Sequence, residues 1–106
     1  MAATTLLALP GLTVVDYRCE AGRGEEPLLE RHDRFSLAYV RKGSFGYRAR
    51  GEAFELVAGS LLVGAPGDEY TCAHDHAEGD ECLSFHMDEA VVESVGSPRA
   101  WKSGGV

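Results

Sequence analysis

Short alternating runs of apolar and polar residues, divided by turn-forming clusters, fill most of the chain. "LTVVDYRC" (residues 12–19) is β-branched and aromatic, the composition that suits a pleated, half-buried strand. In "FSLAYVRK" (35–42), Phe35, Leu37 and Tyr39 occupy every second position and so share one face. Gly43 and Ser44 make a tight turn into "FGYRAR", where Phe45 and Tyr47 share a face. A turn at Gly51 leads to "AFELV", with Phe54 and Leu56 in phase, and "AGS" leads to the apolar run "LLVGA". "APGD" (65–68) sets Pro and Gly in turn positions. "EYTCAHDH", the polar turn "AEGDE" and "CLSFHM" follow. Strands this evenly spaced predict an all-β sandwich or barrel.

One helix interrupts the pattern. "DEAVVESVG" offers Asp88 as its N-cap and Gly96 as its stop. At 106 residues the chain is one domain with one core. The layout is an N-terminal arm (1–11), a barrel with its short helix (12–95) and a Gly-, Ser- and Pro-containing linker or flexible tail (96–106).

Charge narrows the function. A formal net charge of −7 and a pI near 5.0 argue against this chain alone binding nucleic acid or an anionic membrane, because phosphate recognition needs clustered cations. Arg41, Lys42, Arg48 and Arg50 gather along the chain, but basic residues on strands usually serve solubility. No run reaches transmembrane length, and "MAATTLLALPGL" has no basic region of the kind that opens a secretory signal. A cytoplasmic location is expected. In that reducing setting, a cluster of His and Cys favours a metal over a disulfide.

The densest chemistry is "YTCAHDHAEGDEC" (70–82). A regular strand puts Tyr70, Cys72, His74 and His76 on one face. With "AEGDE" as a hairpin loop, His76 faces Cys82, His74 faces Ser84, and Cys72 faces His86. Cys72, His74, His76 and Cys82 form a ligand set that suits Zn²⁺ or another transition metal, with His86 as an alternate. Two other readings stay open. Cys72 and Cys82 can form a redox disulfide if a bulge brings them together. Alternatively, the thiols are small buried hydrophobes and the imidazoles satisfied polar groups. Cys19, on the first strand, is expected to lie apart. Tyr39, Tyr47 and Tyr70, with Phe45 and Phe54, line an effector pocket or form plain core. Neither a Ser/His/Asp set nor a Gly-rich phosphate loop is present.

The stretches "RHDRFSLAYVRKGSFGYRARG" and "GSLLVGAPGDEYTCAHDHAEGDECLSF" give the chain a resemblance to the cupins, double-stranded β-helix barrels. More narrowly, it resembles the N-terminal sensor domain of AraC-type transcription regulators. The likeness spans roughly residues 12–95. The first cupin motif, laid on Gly43, puts Glu30 and His32 at its His-x-His pair and Ser36 at its Glu. The second, laid on Gly59 and Gly67, puts Tyr70 at its His and His74 at its terminal Asn. Of the usual metal ligands His32 alone is kept, with Glu30 as a substitute. That departure disfavours the facial ligand set that cupin oxygenases and isomerases use. The resemblance implies a ligand- or metal-sensing domain, a small-molecule or metal effector, a weak homodimer at most, and a DNA-binding domain outside these residues. The alternatives are a free-standing small cupin enzyme with a non-standard metal site, or a thiol redox or metal-binding module.

Overall fold

A computed structural model describes residues 2–19, 29–73 and 79–105. In chain order these form β1 (Ala2–Leu9), β2 (Leu12–Cys19), β3 (Glu30–Arg31), β4 (Phe35–Ala49), β5 (Glu52–Val57), β6 (Leu61–Gly64), β7 (Glu69–Ala73), β8 (Asp80–Met87), α1 (Glu89–Val95), a 3₁₀ turn (Pro98–Ala100) and β9 (Gly104–Gly105). This is the expected all-β architecture with one short helix. The helix begins as its sequence predicts: the Asp88 carboxylate accepts a hydrogen bond from the Val91 N–H at 3.1 Å.

Every pairing is antiparallel. One sheet runs β1-β2-β8-β4-β6-β9, and the second runs β3-β7-β4-β5. β4 belongs to both. Its first half pairs with β6 and β8, its second half with β5 and β7.

The turn expected at Gly43 and Ser44 is therefore absent, and β4 is a single strand of 15 residues. The glycine serves another purpose. The register against β8 slips between Val40 and Lys42, leaving Arg41 as the extra residue of a bulge. Gly43 follows at φ 80°, and a Cβ there would run into the carbonyl oxygen of Gly79. The strand bends here and passes from one sheet to the other.

The bulge also reverses the strand's parity. Before it, Ser36, Ala38 and Val40 are buried; after it, Phe45, Tyr47 and Ala49 are. Tyr39 consequently points out and is 44% exposed. The alternation grouping Phe35, Leu37 and Tyr39 was read correctly, but that face is not the one that continues into Tyr47.

A second correction concerns the hairpin. Among the described residues β7 and β8 do not pair with each other. β7 lies between β3 and β4, while β8 lies between β2 and β4. In a barrel of two facing sheets, consecutive strands can cross to opposite walls, and local spacing alone cannot reveal this. Both chain ends are also more ordered than expected. The arm is the edge strand β1, paired along its length with β2. The tail turns through Pro98–Ala100, and Gly104 and Gly105 then pair with Val63 and Leu62.

The core is Ala38, Val40, Phe45, Tyr47, Ala49, Leu56, Leu62 and Cys82, with Tyr17, Phe54, Tyr70 and Cys72 packed against it. No helix among the described residues is long and apolar enough to cross a membrane.

Candidate effector site

The inner face of the larger sheet carries polar side chains in one row and a mainly apolar core beyond it. Across its inner face, Thr13, His86, Ser36 and Gly64 stand side by side on four neighbouring strands. The next inner row is Val15, Ser84, Ala38 and Leu62, and beyond it come Tyr17, Cys82 and Val40. On the outer face, Leu7, Val14, Phe85, Leu37 and Val63 form one unbroken row. Sheets of a simple sandwich bury their apolar face and wet the other. Here the core is apolar, and the row of Thr13, His86 and Ser36 brings hydrogen-bonding groups to the interior beside it.

Two phenol–imidazole pairs stand on this polar floor. His32, 9% exposed, shares a hydrogen between Nε2 and the Tyr47 hydroxyl at 2.8 Å. Its ring stacks on Tyr70, with centroids 4.0 Å apart and planes at 19°. On its other side it lies so close to Gly64 that a Cβ there would overlap the imidazole. The backbone fixes it too: His32 N–H donates to the Asp68 carbonyl at 2.9 Å, and Gly67 N–H donates to the His32 carbonyl at 2.8 Å. The "APGD" turn thus clamps the histidine in place. In the second pair, the Tyr17 hydroxyl lies 3.2 Å from His86 Nε2, with the rings edge to face.

Burial tunes these groups. It lowers the pKa of His32, against an opposing pull from Asp68, and His86 adds to the lowering. His86 is likewise lowered by burial and by Arg34, with Asp33 opposing. Both imidazoles are held toward the neutral form, which can accept as well as donate a hydrogen bond. Burial pushes the Tyr47 phenol up to about 12, and it raises Tyr70 and Tyr17 as well. Glu30 on β3 adds to the rise at Tyr70 through its charge and a side-chain hydrogen bond. All three phenols stay protonated at neutral pH.

Of the expected pocket residues, Tyr47 and Tyr70 are brought together at 5.6 Å between ring centroids, while Tyr39 stands outside the barrel. Of the expected metal ligands, His74 and His76 lie outside the described residues. Cys72 and Cys82 sit on opposite sheets, Cys72 beside Tyr47 and Cys82 between Tyr17 and Val40. Burial pushes each thiol up to about 12, with nearby acidic groups adding to it. Cys19 is not remote, since it pairs with Asp80, two residues from Cys82 on the same inward face.

A divalent ion at the barrel centre does not fit these residues. His32 Nε2 and His86 Nε2 each meet a phenol hydroxyl, at 2.8 and 3.2 Å. Among the described residues no group of three or more His, Cys, Asp or Glu side chains is placed to hold a metal.

Two contributors, Tyr17 and Ser103, escaped the sequence reading. Tyr17 was visible only as one more aromatic, although it is in phase with Thr13 and Val15. Trp101 and Ser103 belonged to the expected tail. The Trp101 indole N–H donates to the Gly64 carbonyl at 2.8 Å, and the buried Ser103 hydroxyl accepts from the Ala65 N–H at 2.8 Å. Ser103 also hydrogen-bonds toward Tyr47 and Asp68. The C-terminal strand is therefore joined to the site from behind.

A surface trough of about 650 Å³ runs along the smaller sheet, lined by Gly46, Tyr47, Arg48, Ala53, Phe54, Glu55, Thr71 and Ala73. It includes Tyr47 but neither imidazole.

A family model described as "AraC-like ligand binding domain" matches residues 20–102. A comparison with curated proteins found no match. Solved structures of similar shape include the cupin domain of Schizosaccharomyces pombe Cnp3, at 11% identity and TM-score 0.70 over 94% of this chain and 71% of that one. KdgF from Halomonas sp. is 19% identical with TM-score 0.64, covering 85% and 82%. A cupin protein from Bacteroides fragilis is 27% identical with TM-score 0.64, covering 83% and 77%.

Proposed function

Since the chain belongs to the AraC-like ligand-binding domain family and has the cupin barrel, we propose that it senses a small polar organic molecule for an AraC-type transcription regulator. The effector is received inside the barrel, between the His32–Tyr47–Tyr70 cluster and the Tyr17–His86 pair. The carrying observation is the inner row of Thr13, His86 and Ser36, whose hydroxyl and imidazole side chains face the two phenol–imidazole pairs' side of the barrel. Neutral imidazoles and protonated phenols recognise hydroxyl, carbonyl or amide groups by directional hydrogen bonds.

The signal path follows from the same contacts. An effector group that competes for the Tyr47 hydroxyl alters a residue that also meets Ser103, two positions from the end of β9. Binding shifts the docking of that strand by its differential affinity for the docked and released arrangements. A DNA-binding domain carried elsewhere in the regulator reads the shift.

The test is a thermal-shift screen of polar metabolite-sized compounds on the purified chain, repeated on Tyr47→Phe and His86→Gln. A hit whose stabilisation is lost in both variants supports the reading. A hit insensitive to both places the effector elsewhere and defeats it.

A further inference from the structure

We propose that the effector is a small hydroxy-monocarboxylic acid, whose carboxylate is held by Arg34 beside Thr13 and His86. This rests on the effector reading above and names the chemical class of the guest.

Arg34 is unlike the other cations of the chain. Among the described residues every other Lys and Arg is exposed, and Arg34 alone is half-buried. Arg18, Arg41 and Arg50 each meet a carboxylate, whereas among the described residues none pairs with Arg34. A guanidinium drawn partly out of water without a counter-charge carries a desolvation penalty, and an anion brought to it relieves that penalty.

Its position fixes where the anion goes. Arg34 directly precedes β4, and its Nη1 donates to the Thr13 hydroxyl at 3.1 Å. Thr13 stands opposite His86, and His86 opposite Ser36, in the inner row. Thr13 engages one N–H of the five that a guanidinium carries, and the planar fork suits the two oxygens of a carboxylate. The Tyr17 hydroxyl, 3.2 Å from His86 Nε2, adds a neutral hydrogen-bonding group to the same end of the row.

The rest of the guest is set by what lies along the row. Gly64 ends it, three strand spacings or about 14 Å from Thr13. His32 lies against Gly64 and is hydrogen-bonded to Tyr47. An imidazole and a phenol exchange hydrogen bonds with hydroxyl groups. A second carboxylate on the guest is opposed. Arg34 is the cation that acts on the phenol and imidazole rings, while Asp33, Glu30 and Asp68 act on them with negative charge. Asp68 is answered by Arg50 at 3.3 Å. Asp33 and Glu30 are exposed, so water weakens their field without cancelling it. One carboxylate therefore finds Arg34, and a second meets Asp33 and Glu30.

Isothermal titration calorimetry on the intact chain tests the proposal with two matched sets of probes: glycerate, glyceramide and tartronate, then gluconate, gluconamide and glucarate. In at least one set the monocarboxylate is expected to bind roughly tenfold or more tighter than its amide, and tighter than the dicarboxylate. Arg34→Gln is expected to abolish the preference for the acid, and Arg34→Lys to keep part of it, with native circular dichroism in both. Arg48→Gln, at an exposed position on the smaller sheet, is expected to leave the preference unchanged. Acids bound no tighter than their amides, a preference that survives Arg34→Gln, a dicarboxylate bound tightest, or no binding by either monocarboxylate up to about 10 mM each overturn the proposal. The two readings fail separately. Amides that bind as well as the acids, and lose binding in Tyr47→Phe and His86→Gln, leave the barrel site standing and remove the carboxylate. Acid binding that Arg34→Gln abolishes but those two variants do not touch keeps the anion site and defeats the barrel reading.

Discussion

His32 Nε2 and the Tyr47 hydroxyl lie 2.8 Å apart in the barrel interior, and both residues are buried. Each satisfies a polar group that has little access to water. Tyr47→Phe removes one partner and keeps the ring. The expected cost is about 1–3 kcal/mol, the range for leaving a buried polar group unsatisfied. Urea denaturation measures it; a loss within error of zero shows that water or another side chain replaces the phenol.

Stability is expected to fall on mild acidification. The folded-state pKa values of His32 and His86 are lowered from 6.5. The unfolded chain therefore binds more protons between the lowered values and 6.5, and stability rises with pH through that window. The contribution is fully present above about 6.5 and is lost as pH falls toward the folded-state values. Urea melts from about pH 5 to about pH 8 should show this slope, and His32→Gln should flatten it. A slope unchanged in both His32→Gln and His86→Gln assigns the effect to other groups.

Gly64→Ala is expected to act on His32 at a distance in sequence. The added methyl enters the space of the imidazole, and His32 is also held by stacking on Tyr70. Overpacking of this kind costs about 1–3 kcal/mol. The melting temperature reports the strain, and the lost stacking moves the imidazole resonances in NMR. Unmoved resonances would show that the backbone yields instead of the ring.

Cys72 and Cys82 are expected to resist alkylation in the folded chain. With the thiol raised from 9.0 to about 12, the thiolate fraction at pH 8 falls by roughly a thousandfold, and burial slows the reagent further. Iodoacetamide labelling followed by mass spectrometry, native against denatured, gives the ratio. Fast native labelling of both marks the interior as open. A chelator that lowers the melting temperature would show that a metal is held by residues including His74 or His76, beyond those described.

Ser103→Ala is expected to loosen the C-terminal strand. The hydroxyl accepts from the Ala65 N–H at 2.8 Å, and the alanine leaves that buried donor without its partner. Faster hydrogen exchange at Ala65 and in residues 104–105 is the expected result. Exchange unchanged there would show that the Trp101 contact and the pairing with Leu62 and Val63 hold the strand without the hydroxyl.

The strands were legible because alternation is a local property: residues 12–19 fall on β2, and α1 runs between the Asp88 side-chain cap and Gly96. Pairing was not legible. β7 and β8 look like hairpin partners because eight residues or fewer separate them, yet each finds its neighbours on distant strands. Tyr39 was misplaced by one extra residue, Arg41, which reverses every later position of β4. The site was half legible. His32 and Tyr70 came from the resemblance, whereas Tyr17 and Ser103 depend on contacts between strands far apart in sequence, for which composition carries no signal.

Because β4 is hydrogen-bonded into both walls, the barrel has a spine, creased at Arg41–Gly43, from which the two sheets open like facing pages. Among the described residues no other strand ties them in this way. The gap between the pages is then governed by the angle of one crease. A guest too thick for the gap must flex Gly43, whose positive φ and close approach to Gly79 leave it little room. On the proposed function, with the effector held between the sheets, the crease sets how thick a guest fits, through a residue that need not touch it.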